Sequence, residues 1–296
     1  MQIAVMPLSV SHAKELLDKK VTIIIAGFKR FGLRLSFDAS LNELLELKKL
    51  CEEYGASLYV PFTVFIHPSE IKAAKKYLVT LAQLNVDGIY FSDLAVYQLA
   101  IEAKVKHLLI YHPETLTTNL HEALFWEKQR IKGMVIAREV TTEDAVKIAL
   151  SSHFEIHLLG HGYLAMFHSR RNLITTYFGA TNITKDSRKT EYHIIEEKRD
   201  ESYKILEDIH GTHIFRALPM QSFTRLNELT GSIDVLIINS SFLSEQDVTK
   251  AYVDYKNVLD GIDEASFDAL MKDYIGYDEG FHKKRTVYRK RAVSKK

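Results

Sequence analysis

Eight short apolar runs, separated by stretches of helical periodicity, constrain this chain more than any other feature. They span residues 3–5, 21–26, 57–62, 88–92, 107–111, 133–137, 154–159 and 234–239. Most are apolar almost throughout, without polar alternation. Strands covered on both faces read this way, as in parallel sheets. The intervening segments carry apolar residues at three- and four-residue spacing. Residues 41–54 present Leu41, Leu44, Leu45, Leu47, Leu50 and Cys51. A second helix opens at Ser69-Glu70, and others are expected over 94–103, 119–128 and 142–150, the last with an acidic first turn at Glu143 and Asp144. Strands and helices alternating over about 240 residues predict an α/β fold, a (β/α)8 TIM-barrel-like domain. An open doubly wound sheet is the alternative, because strand count alone does not close a barrel.

The alternation breaks once. Residues 160–233 separate the seventh and eighth runs, roughly 75 residues where one βα unit needs far fewer. An insertion on the C-terminal face of the barrel is expected there. It opens with Gly160-His161-Gly162, continues through the apolar patch 163–167, and reaches His168-Ser169-Arg170-Arg171-Asn172. Residues 244–259 read as a closing helix and 264–274 as a shorter one. The expected organisation is one domain over 1–281 and a basic tail over 282–296.

Charge sharpens that last division. The net charge is +1, from 39 basic and 38 acidic residues. The last fifteen residues hold eight of the bases and none of the acids, which leaves −7 on the body. Such a tail suits phosphate contact, and equally a solubilising terminus. The single cysteine, Cys51, excludes an internal disulfide and any thiolate-held metal or iron–sulfur cluster built from this chain alone. No run approaches the length of a membrane span, and the first residues lack the basic and apolar regions of a signal peptide. A cytoplasmic protein with no membrane partner is expected.

In a barrel of this kind the functional groups come from the C-terminal ends of strands. Here those ends carry Asp93, His112, Arg138-Glu139 and His161-Gly162, with Tyr111 and Tyr163 as walls. Asp93, His112, Glu139 and His161 are the candidate catalytic residues. Arg138, Gly162, Ser169, Arg170, Arg171 and Asn172 are the candidate substrate-binding residues. The set suits binding of a small anion or proton transfer. Each residue also has a plainer role available. Asp93 can cap the helix that follows it, Glu139 can pair with Arg138, and His112 can be an ordinary loop residue before Pro113. A metal held by His157, His161 and His168 fits poorly. The four-residue spacing of the first two suits a helix, whereas a strand and loop are expected there, so neither a metal nor another cofactor is assigned. No nucleophile elbow, phosphate loop or dinucleotide fingerprint is present.

His161-Gly162, Ser169, Arg171 and Leu173 sit at the spacing of a known signature. That signature runs from His-Gly through a cysteine, a Ser-Gly-Arg-like turn, a second cysteine and a Leu-Ser pair. FKRFGLR at 28–34, LNVDGIYFSD at 84–93, AREVTTED at 137–144 and LEDIHGTHIF at 206–215 add to the likeness. Over nearly its whole length the chain resembles the collagenase-like peptidase family, family thirty-two of peptidase class U. The redox members of that family resemble one another in four cysteines that hold an iron–sulfur cluster. Two of those positions fall on Ala165 and Asn172, and the region of the other two, 182–210, has no cysteine. The glycine of the Ser-Gly-Arg turn falls on Arg170, and the family's Lys-Ile-Glu-Gly-Arg-like strand end reads Ile237-Ile238-Asn239-Ser240-Ser241. The chain is thus similar to the family's cluster-free branch, the shorter members of Gram-positive pairs. The resemblance implies a subunit in hydroxylation of tRNA wobble uridine to hydroxyuridine. It implies a longer, four-cysteine partner and contact with tRNA. A collagenase-like hydrolase is the alternative, although no nucleophile or metal arrangement with an activating base is visible. A binding module without chemistry is the third reading.

Overall fold

The computed structural model describes residues 1–183, 191–195, 197 and 201–283. Twelve strands are present among them. These are β1 (Gln2–Val5), β2 (Ile23–Ile25), β3 (Ser57–Phe62), β4 (Gly88–Phe91), β5 (Leu109–Tyr111), β6 (Gly133–Val135), β7 (Glu155–His161), β8 (Ala165–Ser169), β9 (Glu191–Ile195), β10 (Ser202–Asp208), β11 (Gly211–Phe215) and β12 (Val235–Ile238). Eight of them close a parallel barrel in the order β1-β12-β7-β6-β5-β4-β3-β2. All eight expected runs supply a barrel strand, and the open-sheet alternative is excluded by closure between β1 and β12. Apolar side chains fill both faces. Ile23, Ile25, Ile110 and Ile237 pack inside the barrel, and Ile24, Leu58, Ile89 and Leu236 pack outward.

Helices cover the outside: α1 (Val10–Asp18), α2 (Leu41–Tyr54), α3 (Ile71–Gln83), α4 (Leu94–Glu102), α5 (Leu120–Lys128) and α6 (Thr142–Leu150). Their starts are set by short polar side chains that accept backbone N–H groups. Ser40 and Glu43 form a reciprocal capping box on α2, Asn119 caps α5, and Thr141 caps α6. After β7 come α7 (Leu173–Thr181), α8 (Leu226–Leu229), α9 (Glu245–Asp260) and α10 (Glu264–Asp273).

Residues 160–233 build a second, antiparallel sheet in the order β8-β11-β10-β9, with α7 beside it. Glu207 on β10 is buried, and its carboxylate accepts N–H groups from Ile174 and Thr175 in the first turn of α7. A carboxylate at a helix N-terminus satisfies donors the helix cannot. The chain then returns to the barrel, where Phe223, Leu226 and Leu229 join the outer core. Much of the polar segment 182–203 and the tail beyond Lys283 lie outside the described residues. His282 is buried against Ser222, Nε2 to Oγ 2.9 Å, and Lys283 pairs with Glu279 at 2.6 Å.

Candidate functional site at the barrel mouth

Tyr90 on β4 points into the barrel and forms part of the floor of a cavity of about 70 Å3 at the C-terminal end. Its hydroxyl lies 3.0 Å from Nδ1 of His157, whose Nε2 lies 3.2 Å from Oε2 of Glu155. Glu155 in turn meets Lys132 at 2.9 Å. Burial raises the Tyr90 phenol well above its ordinary value and lowers His157, so both are neutral. Tyr90 therefore donates to Nδ1, and Nε2–H donates to the carboxylate. This column of polar groups runs through the barrel from the mouth to the opposite rim.

The wall is a cluster of charges. Arg34 comes from the loop after β2, Glu114 from the loop after β5, and Arg138 from the loop after β6. Arg34 forms an ion pair with Glu114, and Arg138 Nη1 lies 3.5 Å from the other Glu114 oxygen. One carboxylate thus serves two guanidiniums that are mostly buried, with side-chain exposures of 11% and 12%. Burial, and then the neighbouring Arg138, bring Arg34 down to about 9, which still leaves it charged at neutral pH. His112 lines the same cavity. Burial, then Arg34 and Arg138, push its imidazole down to about 3, so it is neutral. A wider basin of about 220 Å3 adjoins the cavity, walled by Phe65, Pro113, Met166, Phe167 and His168.

The second sheet closes one side of the mouth. His213 on β11 accepts from Arg34 Nη1 at 3.3 Å through Nδ1, which leaves Nε2–H facing Asp208 at 3.4 Å. His168 stacks on His213, with centroids 4.3 Å apart, and Phe65 stacks on the other side of His168 at 6.0 Å. Guanidinium N–H groups gathered beside a neutral imidazole suit an anionic group.

The structure brings together only part of the expected set. His112 and Arg138 line the cavity. Glu139 sits behind Arg138, with Oε1 3.4 Å from Arg138 Nε and its other oxygen buried without a hydrogen bond. Asp93 is a helix cap. Its oxygens accept N–H groups from Ala95 and Ile66, both at 2.8 Å, and this leaves no carboxylate for the mouth. His161 is the clearest correction. The pairing of β7 with β12 slips by one residue at Gly160, so Ile237 faces Leu159 and Ile238 faces His161. An extra residue reverses the side-chain alternation. His161 therefore points outward, into a box of Phe223, Tyr255, Tyr274 and Tyr277. Both of its ring nitrogens are buried without a partner, and burial lowers it to about 3.

Gly162 has a structural role. Its φ is +104°, and a Cβ there would lie 2.2 Å from the Asn239 carbonyl oxygen. Tyr111 packs outward against Trp126, with centroids 4.2 Å apart, and is not a wall. Tyr163 packs against Phe242 away from the cavity. Ser169 accepts the Arg171 N–H at the end of β8, and Arg170, Arg171 and Asn172 stand exposed on the turn into α7. Arg34, Glu114, Tyr90 and His157 were missed by the strand-end argument. Arg34 lay in plain view in FKRFGLR, but nothing local signals that it meets Glu114, 80 positions later.

These elements define an α/β barrel whose mouth is built from βα loops and capped by an inserted sheet. A family model described as Peptidase family U32 matches residues 8–288, and the chain belongs to that family. It is 28% identical to tRNA hydroxylation protein P2 of Bacillus subtilis, over 97% of this chain and 99% of that protein. It is 23% identical to tRNA hydroxylation protein P1 of the same organism, over 53% of this chain and 37% of that protein. Among solved structures, the U32 peptidase Mk0906 aligns with a TM-score of 0.51 at 15% identity, over 82% of this chain and 95% of that one, a likeness of fold.

Proposed function

We propose that this chain is the cluster-free subunit of a tRNA uridine hydroxylase, acting at the wobble position beside a longer family member. The observation that carries the reading is end-to-end similarity to tRNA hydroxylation protein P2, with P1 as a longer relative of both. Hydroxylation inserts oxygen into a C–H bond and needs redox chemistry. A chain with one buried cysteine has no ligand set for a cluster, so the longer partner supplies it. The part left to this chain is binding and orientation. Arg34 and Arg138, bridged by Glu114, leave a net positive charge at the mouth for an anionic group, with neutral His112 beside them. Arg170 and Arg171 on the exposed turn offer cations to tRNA phosphates or to the partner, and the basic C-terminal sequence carries charge of the same sign. A reaction on tRNA places the protein in the cytoplasm, and no helix among the described residues is long and apolar enough to cross a membrane.

The family's name supplies the competing hydrolase reading. The residues lining the central cavity include neither serine nor cysteine, and the Thr63 hydroxyl there accepts the Leu33 N–H. The deciding experiment is mass spectrometry of tRNA nucleosides from a deletion strain. Hydroxyuridine should disappear and return with the wild-type gene but not with an Arg34→Ala, Arg138→Ala double variant. An unchanged nucleoside profile in the deletion strain would remove this reading.

A further inference from the structure

A second cavity lies on the flank of the barrel, between the loop after β2 and helices α2 and α3. It measures about 350 Å3, within the range of small-ligand sites. Its wall is aromatic. Phe31 stacks on Tyr77 with centroids 4.5 Å apart and planes 20° from parallel, and Phe28 meets both edge-on at 6.1 and 6.3 Å. Phe28 is 37% exposed and lines the cavity. The Tyr77 hydroxyl is buried near the Phe28 backbone and makes no hydrogen bond of ordinary geometry. Arg30 and Lys76, both exposed, stand among the lining residues, which include no carboxylate. The Arg30 guanidinium already lies over the Phe31 ring, 5.4 Å from its centroid.

We propose that this flank cavity is a nucleotide subsite, in which an unpaired RNA base stacks on Phe28 while Arg30 and Lys76 hold its phosphate. Exposed aromatic surface beside cations is what unstacked bases bind, because every base has a face to stack and a charge beside it. The connection to the mouth is covalent and short. One loop carries Phe28, Arg30 and Phe31 into the flank cavity and Leu33, Arg34 and Leu35 into the central one. A strand of RNA held at the flank would therefore be tethered beside the mouth, with loop 28–35 between neighbouring nucleotides. The inference rests on the tRNA reading above and adds to it a place where the nucleotide next to the target is held.

The test is binding of an unmodified tRNA transcript, by the full chain alone and copurified with its longer relative. Phe28→Ala is expected to weaken binding about tenfold. Lys76→Ala, on an exposed helix face where folding is not at risk, is expected to weaken it and to lower the salt slope by about 1. Circular dichroism checks that both variants are folded. If neither variant changes tRNA affinity while Arg171→Ala does, the flank subsite is wrong and the tRNA reading stands. If the wild-type chain binds no tRNA in either form, both fall.

Discussion

The Tyr90 hydroxyl donates to Nδ1 of His157 at 3.0 Å inside the closed barrel, a polar contact where layers of branched side chains would ordinarily pack. Both residues are fully buried, and His157 is fixed in one tautomer because its Nε2 faces Glu155. Tyr90→Phe keeps the ring and leaves Nδ1 without a donor. The expected loss of stability is about 1–3 kcal/mol, read as a lower urea midpoint with an unchanged slope. A midpoint equal to wild type would show that water replaces the phenol.

Glu114 holds two guanidiniums that would otherwise repel in a half-dry pocket. Glu114→Gln should cost on the order of 1–3 kcal/mol, less than a fully buried pair because 23% of the Glu114 side chain is exposed. The Glu114→Gln, Arg34→Ala double variant should cost less than the two single changes added together. Denaturation of the four proteins completes the cycle, and strict additivity would mean that the pair is not coupled.

His112 and His161 are each lowered to about 3 from an ordinary value near 6.5, in both cases chiefly by burial. A histidine depressed in the folded state adds nothing to bind protons at neutral pH, whereas the unfolded chain binds them below 6.5. Stability is thus fully present above about 6.5 and falls as pH drops toward 3, by up to about 1.4 kcal/mol per pH unit for each group. His161→Phe should flatten that acid limb while staying within about 1 kcal/mol of wild type at neutral pH, since the box around it is aromatic. Melting temperatures across that pH range decide the matter.

Arg171 is exposed on the turn before α7. Arg171→Ala should therefore change stability by no more than about 0.5 kcal/mol. It should weaken tRNA binding by about 1–3 kcal/mol if it meets a phosphate. Truncation after Lys283, which keeps that residue's ion pair with Glu279, should flatten the salt dependence of tRNA binding. A destabilised Arg171→Ala protein with unchanged tRNA affinity would place the RNA surface elsewhere.

The sequence by itself determined a parallel sheet covered by helices, and its closure into a barrel came from the tertiary structure. Runs such as 57–62 and 88–92 are apolar on both faces, and only a parallel sheet covered by helices buries both. The helices over 41–54 and 142–150 were legible from their apolar spacing, and the structure adds the caps Ser40 and Thr141. The length of 160–233 likewise signalled an insertion. Helix α1, capped by Ser9, is the one among α1–α6 that is not expected from the sequence. Tertiary structure alone decided the site. Asp93, His112 and His161 stand at equivalent strand ends, yet one caps a helix, one lines the cavity and one faces away from it. The last difference comes from a one-residue slip against β12 at Gly160, whose missing Cβ leaves room for the Leu236 side chain, and the slip takes effect only once the two strands are paired. The meeting of Arg34 with Glu114 and His213 has the same origin. It joins two βα loops and a strand of the inserted sheet, whose separation along the chain is unrelated to distance, and only the folded barrel with that sheet against its mouth brings the three side chains to one place.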